Sequence, residues 1–164
     1  PVESGDAKTY IDGFKNGAAA GGSEVSVTYT SSFSDVSAMA AAAEDHMDEG
    51  AKLLTGTSQS IPGAVSVVKE RDGYWIGAQW DTIPLADKNV LASLVYDWAP
   101  IINDIVEKMD KGVLGGTAYD LTFIDGGLKI VWNTENIEID PKLIEKADEL
   151  AKEIIDGKIN PLGE

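Results

Sequence analysis

Ala51–Thr82, AKLLTGTSQSIPGAVSVVKERDGYWIGAQWDT, is the stretch whose reading decides the fold. Leu53 and Leu54 make a short apolar run that stops at the polar loop Thr55-Gly56-Thr57-Ser58-Gln59-Ser60. Ile61, Ala64, Val65 and Val68 then recur at helical spacing up to Arg71, and a second apolar run, Tyr74-Trp75-Ile76-Gly77-Ala78, stops at Gln79-Trp80-Asp81-Thr82. Strand, loop, helix, strand, loop is a right-handed crossover with parallel strands, so both polar loops leave one sheet at the same carboxyl edge. Small ligands bind at that edge in open parallel sheets. The two loops hold hydroxyls, an amide, an indole and a carboxylate. Such a set suits the reading of a polar small molecule and lacks the nucleophile and base of an active site.

Upstream, Asp6 is a candidate cap for a helix that places Tyr10, Phe14 and Gly17 on one side and ends at Gly21-Gly22. The alternating, β-branched run Val25-Ser26-Val27-Thr28-Tyr29 reads as a strand closing in the loop Thr30-Ser31-Ser32-Phe33-Ser34. Asp35 then caps an alanine-rich helix through Asp48, which carries His46, an ordinary surface or packed imidazole on this reading. Downstream, Asn89–Tyr96 reads as a strand and Asp97-Trp98-Ala99-Pro100 opens a helix through Lys111, since proline suits a first turn. Thr117–Ile124 and Leu128–Trp132 read as two strands about the turn Asp125-Gly126-Gly127. A last amphipathic helix starts at Asp140-Pro141. Helices alternate with strands over the first 111 residues, which predicts a single α/β domain, three layers α/β/α about a mostly parallel sheet, with a C-terminal β-hairpin and helix. The chain opens on a helix, where a sheet of this kind would have a strand first.

Composition narrows the function. The 164 residues hold 28 Asp and Glu against 13 Lys and Arg, a formal net charge of −15. That disfavours nucleic acid and anionic membrane surfaces as partners. With no cysteine and a single histidine, the chain has neither disulfides nor a cysteine or multi-histidine metal site. The first residues carry no basic or apolar region of a signal peptide, so the chain reads as cytoplasmic or as a processed piece of something exported.

Six segments in register carry a resemblance: GFKNGAAA (13–20), VTYTSSFSD (27–35), EGAKLLTGTSQS (49–60), YWIGAQWD (74–81), ASLVYDWAP (92–100) and FIDGGLKI (123–130). Together they resemble the C-terminal half of basic membrane protein family lipoproteins, substrate-binding components of ABC importers that include purine nucleoside receptors. The resemblance implies a lobe of type I periplasmic binding protein fold, with the first lobe and the strand entering this one preceding Pro1. It implies a nucleoside or related heterocycle as ligand, an ABC permease as partner, an extracytoplasmic and lipid-anchored location, no cofactor and no covalent chemistry. Asp81 matches the aspartate ending the IGxxxD segment, where the resemblance implies hydrogen bonds to ligand hydroxyls. Thr55, Thr57, Ser58 and Gln59 match the cleft-facing loop. Thr55 stands where nucleoside receptors carry a stacking aromatic, and Tyr96 where many members have a basic residue. Trp80, Trp98 and Phe33 are alternative stacking surfaces.

Each of these residues also has a structural reading. Asp81 suits a turn cap, Trp80, Trp98 and Phe33 suit packing, and Thr57, Ser58 and Gln59 suit the free amides of the helix after Pro62. Trp75 and Trp132, inside strands, read as core or interface. The rival function is a sugar or nucleotide hydrolase using Asp81 with Asp97 or Asp125, and a third is a ligand sensor. Self-association through an exposed cleft face is a further expectation.

Overall fold

The computed structural model describes residues 1–163. Five helices and four strands follow in the order α1 (Gly5–Ala20), α2 (Val36–Asp48), β1 (Leu53–Thr55), α3 (Ile61–Glu70), β2 (Tyr74–Gln79), β3 (Val90–Tyr96), α4 (Ala99–Asp110), β4 (Leu128–Trp132) and α5 (Pro141–Ile155), with a short 3-10 turn at Ile83–Leu85. The strands lie side by side in sequence order; β1, β2 and β3 are mutually parallel and β4 runs antiparallel to β3. The α/β reading with a mostly parallel sheet therefore holds.

The core is made where the central stretch said it would be. Ile61, Ala64, Val65, Val67 and Val68 of α3 are buried with Met39, Ala43 and Met47 of α2 against Leu54, Trp75 and Val90 of the sheet. Each fully buried aliphatic side chain of this kind contributes about 1.5–3 kcal/mol. The two helices come so close that a Cβ on Gly63 would run into the carbonyl of Val36 and sit 3.1 Å from its Cγ1. Leu54 faces this core, so its neighbour Thr55 points to the other side of the sheet. There the Thr55 hydroxyl meets Tyr10 of α1 at 2.6 Å. Layering follows: α2 and α3 on one face, α1 on the other, with the C-terminal tail beside α1 through Asn16 Nδ2 and the Pro161 carbonyl (3.0 Å).

Three local expectations change. Helix α1 has Ser4 rather than Asp6 at its N-cap, and Asp6 sits in the first turn. Val25–Tyr29 is not a strand: its chain pairs with no neighbour, because β-structure belongs to a ladder and no strand lies beside it. Its side chains are tied instead, Ser26 Oγ meeting His46 Nδ1 at 2.9 Å. The first arm of the C-terminal hairpin is likewise irregular. Tyr119 is pulled onto α4, where its hydroxyl donates to Asp104 (2.5 Å) and accepts from Lys108 (3.2 Å). The turn it leads into does form, Asp125 Oδ1 accepting the N–H groups of Gly127 (2.8 Å) and Thr122 (3.2 Å).

Candidate functional site

Parallel pairing puts the carboxyl ends of β1, β2 and β3 on one edge of the sheet. The loops that leave there are Thr55–Ser60, Trp80–Thr82 and Tyr96–Trp98. Antiparallel β4 begins at that edge, Leu128 pairing with Tyr96. The Asp97 N–H donates to the Gly127 carbonyl (2.8 Å) and Lys129 Nζ to Asp97 (2.6 Å), so the Asp125–Gly127 turn joins the same rim.

The tip of β2 is the most constrained part of the rim. Gln79 adopts φ 74°, a left-handed conformation that a non-glycine residue seldom takes and that turns the chain sharply out of the strand. Asp81 Oδ1 accepts the Ile83 N–H (3.0 Å), closing the turn. Below it, Thr82 and Ser93 are fully buried and bonded to each other through the Thr82 N–H (3.0 Å) and between hydroxyls (3.1 Å). Gly77 leaves the room for that pair, since a Cβ there would collide with the Thr82 hydroxyl and sit 2.7 Å from Ser93 Oγ. The outcome is an indole held outward: Trp80 is 44% exposed. Trp98, 53% exposed, stands at the N-cap of α4 at the end of the neighbouring strand, while Asp97 Oδ1 takes the Ala99 N–H (2.9 Å).

The loop after β1 divides its polar groups between structure and solvent. Thr55 Oγ1 donates to the Ile76 carbonyl (2.7 Å) and so accepts from Tyr10, which engages it in the α1–sheet contact. Ser58 and Ser60 are buried, their hydroxyls 2.6 Å apart, with the Ser60 N–H directed to Ser58 Oγ (3.2 Å). Thr57 is buried and Gln59 is exposed. Phe33, 52% exposed, lies in the loop that enters α2, whose first residue abuts the first turn of α3 at Gly63. Tyr96 is half-buried, and burial, with Asp6 nearby, pushes its phenol up. Sequence reading placed Tyr10 on one side of α1, and Gly77 and Thr82 in the second apolar run and its loop, but gave neither these nor Ser93 a role at the rim; only the glycine in IGxxxD was a signal for any of them.

Burial at the α1–β1 contact pushes the Tyr10 phenol up to about 12 against the opposing effect of Thr55. A folded value above the unfolded one near 10 means stability that is whole below pH 10 and lost as pH rises towards 12. Stability of the wild type should therefore fall more steeply over that window than that of Tyr10→Phe, by about 2–3 kcal/mol in all, measured by denaturant unfolding at stepped pH. Equal slopes would refute the desolvated phenol.

The sequence profile of the Bmp family, described as ABC transporter substrate-binding protein PnrA-like, matches residues 2–161. The chain belongs to the Bmp family. No functionally curated protein matches it. Among solved structures, the Bmp chain is similar to a transcriptional activator of the comK gene from Bacillus halodurans, at 18% identity and TM-score 0.78, over 92% of this chain and 53% of that one. An ABC transporter solute-binding protein from Conexibacter woesei aligns at 20% identity and TM-score 0.69, over 92% and 52%. One from Aeropyrum pernix K1 aligns at 18% and 0.72, over 92% and 51%. These likenesses establish the periplasmic binding protein-like fold, and the Bmp chain spans about half the length of each of the three.

Proposed function

We propose that this lobe reads a nucleoside or related heterocycle for an ABC importer, its carboxyl rim forming one wall of a cleft whose other wall is a second lobe. The observation that carries the reading is the pair of exposed indoles, Trp80 and Trp98, following adjacent strand ends, with Asp81 next to Trp80 in the chain. Indole faces cover a flat base, and Asp81, with Oδ1 spent on Ile83, keeps its second oxygen for a sugar hydroxyl. In this reading Gln59, Thr57 and the amides before α3 supply further edge contacts, with Phe33 and Tyr96 as additional aromatic contacts. An ABC permease as partner, an extracytoplasmic and lipid-anchored setting, and lobe closure on the ligand belong to the same proposal.

Binding without catalysis is supported by how the rim carboxylates are used. Lys129 and then the Ala99 amide hold Asp97 below the usual carboxylate range. The Gly127 amide does the same to Asp125. A general acid or base works best with a pKa near the working pH, and both are moved away from it. Self-association has support in α4, which leaves Ile102, Val106 and Met109 exposed.

Thermal shift against nucleosides, free bases and pentoses tests the ligand class. A binding nucleoside at 100 times its Kd should stabilise by about 2.7 kcal/mol, which raises Tm by roughly 5–11 °C for a chain of this size. A shift with pentoses alone, or with no panel member at about 10 mM, overturns the nucleoside reading.

A further inference from the structure

Helix α4 carries more apolar surface than the lobe covers. Ile101 turns inward and is the one buried residue of the helix. Ile102, Ile105, Val106 and Met109 follow at the i, i+3, i+4, i+7 spacing that lines up one stripe along a helix, and each stays 39–55% exposed. Val113 and Leu114, just past the helix end, are exposed as well. The turn of the helix sets this stripe beside Ile101 rather than opposite it, so it looks sideways from the lobe, and no charged residue falls within it.

The borders of the stripe decide what can cover it. Helical geometry puts Asn103 and Asp110 along one side and Lys108 along the other. Lys108 is engaged within the chain by Asp104 (2.7 Å) and Tyr119 (3.2 Å), and Lys111, on the far face, reaches Glu107 (3.8 Å). Among the described residues, the side chains of Asn103 and Asp110 have no partner. An apolar helix face that lies on a membrane carries free Lys or Arg at its edges, and both lysines here are already paired. A basic protein finds stronger attraction elsewhere on a chain of net charge −15. A second copy of the chain matches the stripe in detail. Run antiparallel about a two-fold axis between Ile105 and Val106, each Ile102 meets the partner's Met109, and each Asn103 amide stands beside the partner's Asp110 carboxylate, to which it can donate.

We propose that α4 is a self-association surface, an isologous antiparallel helix pair formed between two copies of this chain. The inference rests on the reading that the chain self-associates and is independent of the ligand at the carboxyl rim. A single helix pair belongs to the small interfaces, below about 1,200 Å² in total, that hold weak complexes, so the dimer should form with a Kd of about 10–100 µM. The remaining surface of each copy repels the other, so the pair tightens as salt screens that charge.

Sedimentation equilibrium on the whole chain, from about 10 to 300 µM, tests the inference. Val106→Glu places a charge in the middle of the stripe and should weaken the dimer at least about tenfold while leaving Tm within about 2 °C. Because the chain has no cysteine, single cysteines read the symmetry directly. With oxidised glutathione as oxidant, Ile102→Cys mixed with Met109→Cys should give a disulfide-linked dimer. Neither variant alone should do so, since its two cysteines lie about 10 Å apart along the pair. A dimer that Val106→Glu leaves intact, a mixture that fails to link, or single variants that link as readily as the mixture each overturn the α4 surface and leave self-association itself standing. A dimer that is weaker at about 0.5 M salt than at about 0.05 M overturns it in favour of a contact between charges. A chain that stays monomeric at about 300 µM overturns both.

Discussion

Gly77→Ala should destabilise the chain by about 3 kcal/mol, lowering Tm by roughly 6–12 °C. The added methyl has nowhere to go. It meets the Thr82 hydroxyl head-on, with Thr82 Cβ at 3.0 Å and Ser93 Oγ at 2.7 Å, and both partners are fully buried and bonded to each other. Relief by turning Thr82 away would strand its hydroxyl in the core, at a further cost of about 1–3 kcal/mol. The same pair carries the tip of β2, so ligand affinity should fall with stability. Adding Thr82→Ala removes the hydroxyl and leaves the Cβ contact, which predicts partial recovery and clear non-additivity in the double-mutant cycle. A Gly77→Ala protein that melts within about 2 °C of its parent would refute the close approach of β2 and the Thr82 turn.

Trp80→Ala should leave Tm within about 2 °C and weaken the nucleoside roughly 30-fold, close to 2 kcal/mol. The two halves of this expectation come from one fact: an indole 44% exposed at a strand tip gives the core little and a flat ligand a large face. Asp81 separates its two roles by substitution. Asp81→Asn retains an oxygen for the Ile83 N–H, so the turn should persist while binding weakens; Asp81→Ala should lose both. Titration calorimetry with the best nucleoside from the thermal panel reads the affinities, and the melts read the fold. Unchanged affinity in Trp80→Ala would remove the indole from the site, and a large fall in Tm would return it to the core.

Periodicity made the architecture legible. The 3.6-residue spacing of Ile61, Ala64, Val65 and Val68 and the β-rich runs at 74–78 and 89–96 each report how one element meets its neighbour, and the elements appear within a residue or two of where those patterns place them. The run 25–29 shows the limit of that argument. Alternation and β-branching describe a segment able to join a ladder, but joining depends on what lies alongside. Tyr119 shows another, its strand-like surroundings overridden by a hydroxyl tied to Asp104 and Lys108.

At the rim the division is finer. The sequence by itself determined that polar loops follow β1 and β2, that an aspartate and two tryptophans sit at strand ends, and that the chain carries no thiol and a large negative charge, because these follow from residue type and order alone. Which of those groups stay free was decided by tertiary structure. Thr55 is taken by Tyr10, 45 residues away, and Ser58 by Ser60, whereas Trp80 is turned outward by a left-handed Gln79 resting on the Thr82–Ser93 pair. Hydrogen-bond satisfaction is a property of pairs brought together in space, and no local pattern records which partners the fold will supply.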